Sequence, residues 1–284
     1  MTRTAGWRRA RWGVGSLVLL VPLVVVQLGS AQPALAASGP VQVHSTSAFD
    51  ANPHKGARAD CPPGMVVLGG GGTINGGSGQ VFLNESRPFV DGSAHYVAGR
   101  AAPGSTVSWS VTAHAICAPA PAGYELIETQ SFSSGMFQLG RADCSPGKRA
   151  LSVGAVAITN QTTVPGLTLI RPDGYLTLGW AAAHTIYPPQ NQWQLQTTVI
   201  CVNPLPGQQS VGQVQNAAGA AVLCPSGTSV YGLGGGSGLF DSGAYFLTSL
   251  QTFGFGFGVS ASMTGLAGNG GMVAQATCAS SPVA

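Results

Sequence analysis

The sequence predicts an all-β protein made of three homologous antiparallel units, and three observations carry that prediction. Glycine and proline punctuate the chain roughly every 8–12 residues, the spacing of short strands and turns. Apolar residues between these breaks alternate with a period of two, as in half-buried strands. Six cysteines recur as three regularly spaced pairs. The expected architecture is a pseudo-threefold prism in which each unit contributes one antiparallel sheet of about five short strands; the alternative is three separate β beads. Composition excludes several other classes. The 284 residues include 42 glycines and only 7% charged residues, against usual shares of about 7% and about 25%. Coiled coils and nucleic-acid-wrapping proteins need far more charge. Collagen needs glycine at every third residue, and a disordered tail would not be 44% apolar.

Residues 1–36 read as a signal peptide. Arg3, Arg8, Arg9 and Arg11 form a positive start, Val14 to Leu28 is largely apolar, and Ala34-Leu35-Ala36 places small residues before a cleavage point at Ala36-Ala37. The apolar run falls short of the roughly 20 residues a membrane span requires. Arg8-Arg9 is a weak twin-arginine feature, and the general export route is the expected one. Without the leader, 8 basic residues face 9 acidic ones. No basic patch for nucleic acid or anionic lipid is expected, and nothing later in the chain is long and apolar enough to span a bilayer.

The exported part divides into units 37–123, 124–206 and 207–284. Within them the pairs Cys61/Cys117, Cys144/Cys201 and Cys224/Cys278 are separated by 56, 57 and 54 residues. This repeat favours within-unit disulfides among the 15 possible connectivities. Each first cysteine opens a turn and a strand: glycine follows at +3 (Gly64, Gly147, Gly227), an apolar residue at +7 (Leu68, Leu151, Tyr231) and glycine again at +10 (Gly71, Gly154, Gly234). Further on, Arg87-Pro88 and Arg171-Pro172 precede Asp91-Gly92 and Asp173-Gly174 turns. The closing strand ends at the second cysteine and carries Trp109 and Trp193, both expected in the core; the third unit has Gly270 there. Tyr124 to Phe132 opens the second unit as a strand. In the third unit, which has one charged residue (Asp241), Phe253-Gly254-Phe255-Gly256-Phe257-Gly258 reads as a central strand with rings on one face, or as an apolar surface for self-association.

The openings Cys61-Pro62-Pro63-Gly64 through Leu68-Gly69-Gly70-Gly71, the middle strand Gly179-Trp180-Ala181-Ala182-Ala183 and the close Ala115-Ile116-Cys117-Ala118 resemble a repeat found in secreted hypothetical proteins of actinobacteria. The resemblance covers residues 41–284. It implies an exported bacterial β protein and no catalytic activity.

Candidate chemistry is sparse. The glycine runs Gly69–Gly72 and Gly234–Gly238 lack the Lys-Ser/Thr and the following helix of a phosphate loop. His44, His54, His95, His114 and His184 are scattered without metal-ligand spacing, so neither metal nor cofactor is expected. Arg58 with Asp60, and Arg141 with Asp143, recur in register and read as structural ion pairs. Asn84-Glu85-Ser86 and Asn160-Gln161-Thr162 match glycosylation sequons by chance. The candidate ligand surface is the glycine-flanked position assigned to Arg100, Trp180 and Phe257 in the three units, with Trp180 as its best aromatic. The expected function is non-catalytic binding of glycan or cell-envelope material outside the cell; the alternative is a secreted hydrolase whose Ser, His and Asp converge only in space.

Overall fold

The computed structural model describes residues 39–159, 163–215, 217–237, 245–265 and 271–280. The leader with its Ala36-Ala37 cleavage point, the Asn160–Thr162 sequon, Gly238, Asp241 and Gly270 lie outside these. Eighteen strands are present among the described residues, six per unit. The first unit holds β1 (Val41–Thr46), β2 (His54–Asp60), β3 (Val66–Gly76), β4 (Val81–Pro88), β5 (Ala94–Ala101) and β6 (Trp109–Ala118). The second holds β7 (Glu125–Ser133), β8 (Phe137–Asp143), β9 (Arg149–Ile158), β10 (Pro165–Pro172), β11 (Leu178–Thr185) and β12 (Trp193–Val202). The third holds β13 (Gln209–Gln215), β14 (Gly219–Leu223), β15 (Ser229–Ser237), β16 (Tyr245–Phe253), β17 (Gly258–Gly265) and β18 (Met272–Ala279).

These strands form three antiparallel six-stranded sheets, and each sheet is shared by two units. Their orders are β1-β6-β3-β16-β17-β14, β2-β5-β4-β9-β12-β7 and β13-β18-β15-β10-β11-β8. Every unit thus splits into two three-stranded ladders, each joined to a ladder of a different neighbour. The expectation of one sheet per unit is corrected, as is the count of about five strands. A lone three-stranded ladder has two open edges, and joining ladders across units removes one edge from each. This cyclic sharing makes the three units one body, not beads.

The joints are narrow. Thr73 pairs with Ser249 at the first, Glu85 and Ser86 with Val156 and Ala155 at the second, and Leu169 and Ile170 with Gly236 and Gly235 at the third. The glycines ten residues after each first cysteine lie at these joints. A Cβ on Gly71 would stand 2.2 Å from the Leu250 carbonyl oxygen, on Gly154 2.5 Å from Arg87 Cα, and on Gly234 2.8 Å from Arg171 Cα. The glycines at +3 each adopt a positive φ of 80–84° in the turn after the cysteine.

A second set of equivalent residues meets at the centre. Gly69, Ser152 and Gly232 each lie eight residues after a first cysteine. A Cβ on Gly69 would fall 2.9 Å from Gly232 Cα and 3.2 Å from Ser152 Cβ, and one on Gly232 1.8 Å from the Leu151 carbonyl oxygen. There is room for one side chain in this layer. Ser152 supplies it and donates a hydrogen bond to the Leu233 carbonyl at 3.1 Å. The residues just before, Leu68, Leu151 and Tyr231, are bulged out of the ladders and fill the core at 0%, 0% and 4% exposure. The matching layer on β4, β10 and β16 is Phe82, Gly166 and Phe246. Its two rings stack 4.5 Å apart, and a Cβ on Gly166 would touch both, at 2.4 and 2.5 Å. One residue further on, Leu83, Leu167 and Leu247 are all fully buried.

Disulfides join Cys61 to Cys117, Cys144 to Cys201 and Cys224 to Cys278, with Cα separations of 5.7, 5.8 and 5.7 Å. Each ties the end of a strand in one sheet to a strand of the next sheet, so it staples the corner where its unit divides. Closing loops of this length contributes about 4 kcal/mol each by chain entropy. Trp109 and Trp193 are buried as expected and donate their indole N–H to the carbonyls of Asn52 and Gly135 at 2.9 and 2.8 Å.

The Phe253–Gly258 stretch is not one strand. β16 ends at Phe253, a 3₁₀ turn covers Gly254–Gly256, and β17 begins at Gly258. Gly254, Phe255 and Gly256 take φ of 61°, 58° and 92°, so two glycines let the chain reverse around one phenylalanine. Phe255 is fully exposed at the tip, with Phe253 and Phe257 at 37% and 52%. The strand reading is corrected; the rings face outward.

Candidate functional site

The site grows from three neighbouring strands on the outer face of one sheet. β8 and β11 pair Arg141 with Trp180, and β11 and β10 pair Trp180 with Arg171. The indole is therefore flanked in register by two guanidinium-bearing residues. Arg141 sits 5.6 Å from the Trp180 ring centre and donates from Nε to both Asp143 oxygens at 3.0 Å. That bond raises the Arg141 pKa and keeps the charge in place. Burial lowers the Arg171 pKa, opposed by the charge of Asp173. Asp173 shapes the adjoining turn, accepting from the backbone N–H groups of Tyr175, Thr177 and Leu178. Tyr175 is 84% exposed there.

The first unit repeats the row with a smaller ring. Tyr96 lies between Arg58 and Arg87. Arg58 donates to Asp60 at 2.7 Å and Arg87 to Glu85 at 2.7 Å, and the Arg58 guanidinium lies 4.2 Å from the Phe89 ring centre. The Arg58–Asp60 and Arg141–Asp143 pairs read from the sequence are present. Burial raises the Glu85 pKa, and Arg87 works against that rise. In the third unit the row is Ala221, Ser260 and Gln251: neither ring nor charge. Two outer faces thus carry an Arg–aromatic–Arg row and the third carries a neutral polar one.

The three residues assigned to one candidate position do not share it. By strand register Trp180 corresponds to Tyr96 and Ser260. Arg100 lies at the far end of β5, paired with His54 and Phe82, where its Nε is buried without a hydrogen-bond partner. Phe257 lies in the loop before β17. Anchoring on the glycine before each residue matched Gly99 to Gly179, but the register matches Gly99 to Ala183, four residues on. That even offset preserves the face and misplaces the slot. Trp193, near Gln192 and Gln194, stands only 2% exposed beneath a shallow hollow of about 220 Å³ that Phe132 and Ile158 also line.

Among the described residues, the close Ser–His contact is shut inside. Ser86 Oγ lies 3.0 Å from His95 Nε2, both side chains are at most 1% exposed, and His95 Nδ1 meets no hydrogen-bonding partner. Burial first, then the charges of His114 and Arg87, hold the His95 pKa down at about 3. It stays neutral and cannot reach a substrate. Among the described residues no three His, Cys, Asp or Glu side chains cluster to hold a metal ion, and no helix is long and apolar enough to cross a membrane. Asn84, the first sequon residue, is a buried bulge residue.

Compared with protein-family models and with curated proteins, the chain matches none.

Proposed function

We propose that the protein is exported and works outside the cell as a non-catalytic binder of neutral glycan, such as cell-envelope polysaccharide, through the outer face around Trp180. The observation that carries this reading is the outward indole set in register between Arg141 and Arg171. A flat ring packs against the apolar face of a pyranose, while guanidinium N–H and carboxylate oxygen bond its hydroxyls. Arg141 already has Asp143 as partner and the charge of Asp173 acts on Arg171, so the row with its two carboxylates is close to neutral and offers an anionic polymer little advantage. Three disulfides that use all six cysteines favour an oxidising compartment, and the leader read at residues 1–36 supplies the route. A hydrolase built on Ser86 and His95 is the poorer reading, because catalysis would require opening the core.

The test is retention of the exported chain on a panel of insoluble polysaccharides, comparing wild type with Trp180→Ala. Trp109 and Trp193 are buried, whereas Trp180 is half-buried, so a change in indole emission that is lost in Trp180→Ala reports occupancy. The reading expects at least a fivefold loss of retention with the melting temperature unchanged within a few degrees. Equal retention of both proteins, or none by wild type on any neutral glycan, overturns it.

A further inference from the structure

The axial layer of Phe82, Gly166 and Phe246 opens into a pocket of about 210 Å³ to which all three units contribute. Gly79, Gln80, Ala102 and Pro103 come from the first, Ile186 and Tyr187 from the second, and Thr264 from the third beside the two stacked rings. We propose that this pocket binds a single neutral aromatic ring bearing one small polar group, a phenol-class ligand.

Size sets the first limit. An apolar cavity of about 150 Å³ accepts benzene, so 210 Å³ suits one substituted ring. Drug-sized ligands occupy about 300–1,000 Å³, which excludes a fused polycycle or an oligosaccharide. Chemistry sets the second. The floor is Phe82 and Phe246, exposed by only 2% and 3%, with Ile186 packed against them. Among the described residues no charged one lines the pocket, so a charged ligand would be desolvated without compensation. A monosaccharide would leave hydroxyls unpaired against the floor for the same reason.

Rigidity and polarity complete the argument. The ring pair sits directly over Gly166, where not even a Cβ fits, so the wall is preorganised and little ordering cost falls on binding. The aromatic wall offers edges and faces to an incoming ring. At the rim Thr264 Oγ1 donates to the Gly79 carbonyl at 3.3 Å, which leaves the hydroxyl oxygen able to accept from a ligand O–H. The Gln80 amide is exposed beside it, and Tyr187 is 54% exposed. One hydroxyl on the ring therefore has partners at the mouth while the ring meets only carbon below.

The experiment is an NMR titration of the exported chain with 4-methylphenol, with cyclohexanol as the saturated comparison. The inference expects saturable shifts at Ile186, Phe82 and Phe246 with a Kd of about 0.1–3 mM, and cyclohexanol weaker by about fivefold. Ile186→Trp, which fills the pocket, should weaken 4-methylphenol about tenfold or more; Tyr187→Ala at the exposed rim should weaken it about threefold with an unchanged melting temperature. If Ile186→Trp does not fold, Tyr187→Ala and Gln80→Ala decide the matter. Absence of saturable shifts up to about 10 mM, shifts confined to other surfaces, cyclohexanol binding as tightly, or rim variants that bind like wild type would each overturn the assignment. The site is separate from the Trp180 row, so Trp180→Ala should leave this titration unchanged.

Discussion

Replacing Gly232 with alanine puts a methyl group where the central layer has no room. Its Cβ would lie 1.8 Å from the Leu151 carbonyl oxygen and 2.5 Å from the carbonyl carbon. Both are backbone atoms of a buried strand, so no side-chain rotation relieves the contact. Overpacking a core ordinarily costs about 1–3 kcal/mol, and a backbone clash belongs at the upper end, about 3 kcal/mol or more. For a body of 150–250 residues each kcal/mol lowers the melting temperature by about 2–4 °C, so the expected drop is about 6–12 °C. Gly69→Ala meets Gly232 Cα at 2.9 Å and Ser152 Cβ at 3.2 Å, and should cost less. Ser152→Gly removes the layer's one side chain. It loses a single hydrogen bond to Leu233, about 1 kcal/mol, plus the strand cost of glycine, about 0.5–1 kcal/mol. Calorimetry of the three variants tests the order Gly232→Ala, Gly69→Ala, Ser152→Gly. A Gly232→Ala protein as stable as wild type, or one less damaged than Ser152→Gly, would refute the convergence of the three strands.

Other outcomes are equally specific. His95 has a folded pKa of about 3 against an ordinary value of about 6.5, so the unfolded chain takes up a proton that the folded chain refuses. Stability should therefore fall as pH drops from about 6.5 towards 3, by up to about 4 kcal/mol; urea unfolding at several pH values checks this, and His95→Asn should flatten the slope. Phe255→Gly, which relieves a left-handed φ of 58° at an exposed tip, should be neutral or stabilising by about 1 kcal/mol; a loss above that would place the ring in a contact. Phe255→Lys should fold and abolish concentration-dependent association through the third unit in sedimentation runs, and a wild type that stays monomeric counts against such association. Non-reducing peptide mapping should recover only within-unit disulfides, with a Cys117–Cys144 peptide as the contrary result.

Local regularities proved readable from the chain. The cysteine spacing, the buried Trp109 and Trp193 and the Arg–Asp pairs all rest on residues a few positions apart or on repetition along the chain. Sheet sharing was not readable, because Thr73 and Ser249 are far apart in sequence and their joint is one residue pair wide; no local pattern records it. The Phe253–Gly258 alternation suits a strand and a glycine-flanked turn equally. Its position, about thirty residues after Cys224, matches the Asp91-Gly92 and Asp173-Gly174 turns, and that repeat register was the available signal. Counting back from the second cysteines, and not from the nearest glycine, aligns the two rings: Trp180 lies 21 residues before Cys201 and Tyr96 lies 21 before Cys117. The Phe82–Gly166–Phe246 layer lies 21 or 22 residues after the first cysteines, but only convergence in space turns that spacing into a pocket.

The cyclic sharing of sheets is the premise of the axial layer, the pocket and the outward rows, and calorimetric unfolding of residues 37–284 tests it most directly. Three units locked into each other's sheets should melt in one transition, with calorimetric and van't Hoff enthalpies in agreement. Separate transitions, or a fragment 207–284 that folds alone, would contradict it.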